Sequence, residues 1–314
     1  VRAALHVPSV GSPSRRFEMQ LDGLERYAAE RGEVDCIVLG NSTVLMGVDP
    51  EALARGYRAR AGEELGCFSF GVAGMTASAA EAVAAILLER YRPELLVYVV
   101  TARDVGENVD GPLLAGTPWV RYRRGALSSE GWLTEHSAAF RYWLLYRQWL
   151  ERDRWPAAAA APGTNALGFH ATEASLPLSP ALWRHTVRAY EEVARQPPSQ
   201  GEARAYAELL ATARARARIV VVEAPLHPRL RRATSRLGGF YEQAMLLLRR
   251  ESRRQHVPFW RVPAGGVIPG DGWLDFVHLN RRGAAAFSDW LGARLGAAVQ
   301  SGRLRPPGAA RAEA

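Results

Sequence analysis

Short, continuous apolar runs alternate along this chain with longer segments whose apolar residues recur at helical spacing. CIVLG (36–40), CFSFG (67–71), ELLVYVV (94–100), RIVVVEAP (218–225) and VPFWRV (257–262) are runs of strand length bounded by Gly or Pro. Runs that do not alternate with polar residues suit strands buried on both faces. TASAAEAVAAILLERY (76–91) and residues 201–216, 235–256 and 281–298 carry the helical pattern, and RRFEMQLDGLERYAAERG (15–32) places one more helix ahead of the first strand. Ser78 and Glu81 are spaced as a capping box, and Pro93 closes the helix before the third strand. Strands that alternate with helices imply a parallel sheet covered on both faces, an α/β sandwich of three layers with five strands.

Residues 105–200 break this rhythm. Proline and glycine punctuate their start, FRYWLLYRQWLERDRW (140–155) is rich in Trp and Arg, and PAAAAAPGTN (156–165) reads as a flexible link. The expected organisation is an N-terminal helical segment (1–34), a main domain (35–300) carrying a helical insertion (105–200), and a flexible tail (301–314). The insertion's aromatics either pack on the main domain or form a lid, partner or membrane-surface element.

Composition changes this picture little. The 314 residues suffice for a full core, and the net charge of +8 raises nucleic-acid binding as a possibility. Yet the 40 basic residues are all arginine, scattered over several helices without an aromatic-interleaved patch, which reads as compositional bias and argues against nucleic acid as a partner. Two cysteines, Cys36 and Cys67, are too few for a disulfide framework and read as small core residues. No apolar run is long enough to span a bilayer, and no secretory leader is recognisable. The first residue is Val, which leaves room for an upstream anchor or signal.

Candidate chemistry collects where the strands end. In an open parallel sheet ligands sit beyond the carboxyl ends of the strands. Those ends carry Gly40-Asn41-Ser42, Gly71-Val72-Ala73-Gly74, Thr101-Ala102-Arg103-Asp104, Glu223 to His227, and, after a loop, Asp275-Phe276-Val277-His278. A serine hydroxyl becomes nucleophilic when an imidazole takes its proton, and the imidazole works when a carboxylate holds its other nitrogen. Ser42, His278 and Asp275 fill those roles. The backbone N–H groups of Ser42 and Gly74 can receive an oxyanion. A metal set from Asp271, Asp275 and His278 lacks further ligands at recognisable spacing, and no G-x-G-x-x-G or G-K-[ST] loop is present, so no cofactor is expected. Glu223 and His227 read as structural or substrate-lining.

These motifs resemble those of the SGNH (GDSL-type) hydrolase superfamily. GNS (40–42) stands where that family has Gly-Asp-Ser, with Asn41 in place of the usual Asp. GVAGMT (71–76) puts Gly74 at the oxyanion glycine, and DFVHLN (275–280) supplies the Asp-x-x-His. VVTARD departs from the third block by placing Arg103 where an asparagine is usual. The resemblance implies a flavodoxin-like fold and serine-dependent esterase or O-acyltransferase activity on a small ester, an acylated carbohydrate or a cell-envelope glycan. Ser42, Asp275 and His278 would be catalytic, with Gly74, Asn41 and Arg103 binding oxyanion or substrate. IVLGNSTVLMGVDP and DFVHLNRRGAAAFSDWL are most similar to the branch that holds the D-alanyl transfer and alginate O-acetylation proteins. That branch implies a membrane-bound O-acyltransferase as partner and an extracytoplasmic or membrane-associated location. The replaced asparagine keeps a second reading open, a catalytically inactive binding or assembly protein on the same fold.

Overall fold

The computed structural model describes residues 9–106, 114–150, 163–173, 175, 179–263 and 266–304. Most of the link expected at 156–165 and the tail from 305 onward lie outside them.

Helix α1 (Arg15–Arg31) leads into β1 (Cys36–Gly40), α2 (Ser42–Gly47), α3 (Pro50–Ala61), β2 (Cys67–Gly71), α4 (Ala77–Tyr91) and β3 (Leu95–Val100). After a single 3-10 turn at Ala102–Val105 come α5 (Pro118–Arg123), α6 (Ser129–His136), α7 (Ala138–Leu150) and α8 (Pro180–Val193). Then follow α9 (Gln200–Arg216), β4 (Arg218–Glu223), the short α10 (Pro228–Arg231), α11 (Ser235–Arg254), β5 (Phe259–Trp260) and α12 (Arg281–Gln300). All strand pairs are parallel and the order is β2-β1-β3-β4-β5, the doubly wound, flavodoxin-like order expected for the fold.

Successive strand residues face opposite layers, so the buried side chains divide into two clusters. Ile37, Leu39, Phe68, Phe70, Leu96 and Tyr98 meet α1, α4, α9 and α11. Cys36, Val38, Val97, Val99, Val220 and Val222 meet α3 and α12 on the other face. Edge strand β2 is covered: Ser69 donates its N–H to the Leu167 carbonyl, and Gln20 donates to that of Gly168. This blunts an edge that would otherwise template pairing with another chain.

Several expectations need correction. Thr76 is the N-cap of α4, and no side chain caps it. Ser78 gives both its N–H and its hydroxyl to Glu202 while Glu81 pairs with Arg124, so the sequence-spaced capping box is replaced by tertiary bonds. β5 has two residues where six were expected; at its start Pro258 has no N–H for the ladder and joins it only as acceptor of the Val221 N–H. Both readings of the insertion's aromatics stay open: Trp119 is buried in the main core with Trp183 and Tyr190 packed against it, while Tyr142, Trp143, Tyr146 and Leu150 of α7 form a stripe that is about half exposed.

Candidate active site

Gly40 and Gly71 let α2 settle onto the ends of β1 and β2. A Cβ at Gly40 would strike Val44 and the Val99 carbonyl, and one at Gly71 would strike the backbone of Leu45. Asn41 is the N-cap of α2, its Oδ1 accepting from the Thr43 N–H at 2.9 Å and the Thr43 hydroxyl at 2.9 Å. Ser42 is therefore the first residue of a short helix seated at the sheet edge, held by the backbone on both sides. The insertion tightens this seat, since His170 donates its N–H to the Leu45 carbonyl.

His278 approaches from the other end of the chain. Asp275 Oδ1 accepts the N–H groups of Val277 and His278, each at 2.7 Å, and so folds 275–278 into a closed turn. The turn is anchored behind by Asn280, the N-cap of α12, whose amide also reaches the Asp271 carbonyl. In this turn Asp275 Oδ2 lies 2.8 Å from His278 Nδ1, and His278 Nε2 lies 2.9 Å from Ser42 Oγ, across 236 residues of sequence. The structure thus brings Ser42, His278 and Asp275 into one hydrogen-bonded chain. Burial pulls the Asp275 carboxyl upward, but the His278 side chain and the two backbone donors outweigh it and hold the group below the usual carboxylate range.

Gly74 turns with φ 77, a conformation glycine adopts without strain, and lines the same cleft as Ser42 and His278. Asn41 lines it too, but its side chain is fully engaged. Beyond its bonds to Thr43, its Nδ2 donates to Thr101 Oγ1 at 3.1 Å and to Asp104 Oδ1 at 2.6 Å. It has no side-chain donor left for a ligand, so its place in the site is to position the Ser42 helix.

Arg103 and Asp104, expected at the end of the third strand, lie in the 3-10 turn after β3. Asp104 is buried and takes hydrogen bonds from Asn41 and Thr101. Burial drives its carboxyl up to about 7 against the pull of those donors. Arg103 opens on the cleft, its guanidinium 5.0 Å from the centre of the Tyr190 ring. β4 adjoins β3, and Glu223 at its end does not pair with Arg103: it accepts from the Tyr241 hydroxyl and from Arg261 Nε at 2.8 Å. His227 caps α10 through Nδ1 and packs edge-on against Trp273 and Phe276.

Two features escaped the sequence. The Asn41–Thr101–Asp104 network was signalled only by the Thr-x-x-Asp spacing at 101–104. The second is α8, which walls the cleft with Leu182, His185, Thr186, Ala189 and Tyr190. Their i, i+3, i+4, i+7, i+8 spacing and the Ser179-Pro180 start are ordinary helix signals inside a segment that otherwise reads as irregular. The cleft holds about 220 Å³. Thr43, Thr101, Tyr190 and Val277 separate it from a smaller pocket of about 40 Å³, lined chiefly by Ala102, Leu226, Leu237, Phe240 and Met245.

No family model matches the chain, and no curated protein matches it. Among solved structures it is similar to a carbohydrate acetylesterase from Sinorhizobium meliloti, at 14% identity and a TM-score of 0.40 over 86% of this chain and 99% of that one. A putative arylesterase from Agrobacterium tumefaciens matches at 16% identity and a TM-score of 0.38, covering 85% and 98% of the two chains. The aryl esterase of M. smegmatis gives 12%, 0.38, 85% and 98% in the same terms. At such distance these likenesses carry no weight for the chemistry, which rests on the site's own geometry.

Proposed function

We propose that the protein is a serine-dependent esterase or O-acyltransferase. The continuous hydrogen-bonded chain from Asp275 through His278 to Ser42 is the observation that carries this reading. In it, Ser42 Oγ attacks the ester carbonyl carbon as His278 Nε2 takes the hydroxyl proton. Asp275 keeps the other ring proton on Nδ1 and stabilises the imidazolium that forms. The N–H groups of Ser42 and Gly74 receive the tetrahedral oxyanion. On collapse the C–O bond to the alcohol breaks, the alcohol oxygen leaves with the proton from His278, and an acyl-Ser42 ester remains. Attack by water regenerates the serine and releases acid; attack by a second alcohol transfers the acyl group instead.

The substrate in this reading is an acylated carbohydrate or envelope glycan, and a membrane-bound O-acyltransferase is its partner; both rest on the sequence resemblance. Turnover of phenyl acetate and labelling by a fluorophosphonate test the chemistry. Both are expected in the native protein, and both should vanish in Ser42→Ala. His278→Ala should lower turnover by roughly a thousandfold or more, the scale on which triad members act. Arg103 at the family's asparagine position favours the second reading, an inactive binding protein. Absence of both turnover and labelling in the native protein would decide for it.

A further inference from the structure

Among its described lining residues the cleft holds two carboxyl groups, Asp104 and Asp275, and one arginine, Arg103. Arg103 is half-buried, and among the described residues no carboxylate is bonded to it. The three acids within the site are committed elsewhere, Asp104 to Asn41 and Thr101, Asp275 to His278, and Glu223 to Tyr241 and Arg261. Another partly buried arginine does have partners: Arg123 reaches Glu89 and Glu135. A guanidinium held out of bulk water without a counter-charge is costly unless a ligand supplies one. The Tyr190 ring lies against the guanidinium and the Tyr190 hydroxyl engages it, which leaves its remaining N–H groups as donors suited to a planar or tetrahedral anion.

The sheet order says which part of a substrate meets it. β1 lies between β2 and β3, so Ser42 is flanked by Gly74 on one side and Arg103 on the other. An oxyanion held by the N–H groups of Ser42 and Gly74 would sit on the β2 side of Ser42, with Arg103 on the β3 side. The alcohol oxygen must sit by His278 Nε2 to collect its proton, and His278 lines the larger cleft that Arg103 shares. The small apolar pocket beyond Thr43, Thr101, Tyr190 and Val277 contains neither residue and suits the acyl group. At about 40 Å³ against about 220 Å³ it has room for an acetyl or similarly short chain.

On the ester-cleaving reading of the site, we infer that the substrate is a short-chain ester whose alcohol part carries an anionic group, a carboxylate, sulfate or phosphate, bound by Arg103 on the Tyr190 face. Arg103 is then a specificity residue for the alcohol.

The test compares kcat/KM for 3- and 4-acetoxybenzoate with the corresponding neutral acetoxybenzamides, whose leaving phenols are of similar acidity. The native enzyme should prefer the better-placed benzoate isomer by about tenfold or more, the scale of one charge-assisted hydrogen bond, with the difference carried mainly in KM. Arg103→Gln should bring the benzoate-to-benzamide ratio close to one, and Arg103→Lys should keep part of it. Equal kcat/KM for benzoate and benzamide in the native enzyme, with hydrolysis still dependent on Ser42, overturns this inference alone and needs no variant to fold. A preference that survives Arg103→Gln also overturns it. An equal loss on anionic and neutral esters in that variant assigns Arg103 to the oxyanion instead. Absence of Ser42-dependent hydrolysis of all four esters overturns the ester-cleaving reading itself.

Discussion

Asp104 shows how a single buried carboxyl ties the Ser42 helix to the sheet. It has no counter-charge bonded to it; its ligands are the Asn41 amide and the Thr101 hydroxyl, with the Tyr98 hydroxyl at 3.5 Å. Its proton is held more tightly in the fold than in the unfolded chain, with the carboxyl driven from 3.8 to about 7. Its contribution to stability is therefore complete at low pH and declines as pH rises from the unfolded value through about 7. Asp275, lowered in the fold, acts in the opposite sense: its contribution is present above its unfolded value and is lost only as pH falls through its folded one. Asp104→Asn keeps an acceptor for Asn41 but has nothing to titrate. The variant should lose part of the native protein's decline in melting temperature between about pH 5 and 8. Identical declines in the two proteins would mean that Asp104 is ionised throughout that range. Asn41→Ala removes the cap and strands Asp104, so it should cost about 1–2 kcal/mol in urea unfolding and lower kcat more than it raises KM.

At the scale of elements, the position of His278 depends on how closely α12 can approach α3. A Cβ on Gly292 would collide with the Leu53 carbonyl and one on Gly56 with the Asp289 carbonyl, so the two helices touch backbone to backbone. Because α12 starts three residues after His278, pushing it outward drags the Asp275–His278 turn from Ser42. Gly292→Ala is expected to destabilise the fold by about 1–3 kcal/mol, as overpacking does, and to reduce turnover in the fraction that stays folded. Unchanged unfolding with native turnover would show that the helices can part without consequence. The same elements show what was legible beforehand. β1 and β2 match their expected bounds because both are short apolar runs that end in glycine. α9 and α12 match within two residues because their apolar period is regular. The meeting of Ser42 with His278 could be anticipated because both follow carboxyl ends of strands in one sheet. The turn at 102–105 could not, since Asp104 is fixed by Asn41, a tertiary neighbour; α8 has local helix signals, but its place against Arg103 follows from packing. Local propensity also misplaced the cap of α4, where Glu202 from a distant helix takes the donors a local acid would have taken.

The molecule as a whole carries its own probe of cooperativity. Cys36 and Cys67 are the chain's only cysteines, register partners on β1 and β2, and both are free thiols. They are 0% and 3% exposed, which decides that no reagent reaches them while the sheet is closed. Burial also pushes the Cys67 thiol upward, away from the reactive thiolate. β2 is the edge strand, yet the segment at 167–169 lies along it and Gln20 of α1 clasps that segment, so opening the edge requires parting three pieces of chain distant in sequence. Labelling by an aromatic disulfide reagent should therefore find no fast thiol in the native protein and two after denaturation. Under native conditions the slow labelling rate should track global stability, falling or rising with it across the Gly292→Ala and Asn41→Ala proteins. If instead both thiols react quickly while the bulk fluorescence of the folded state persists, the β2 edge opens on its own. The sheet that holds the Ser42 helix would then be two cooperative units where the contacts describe one.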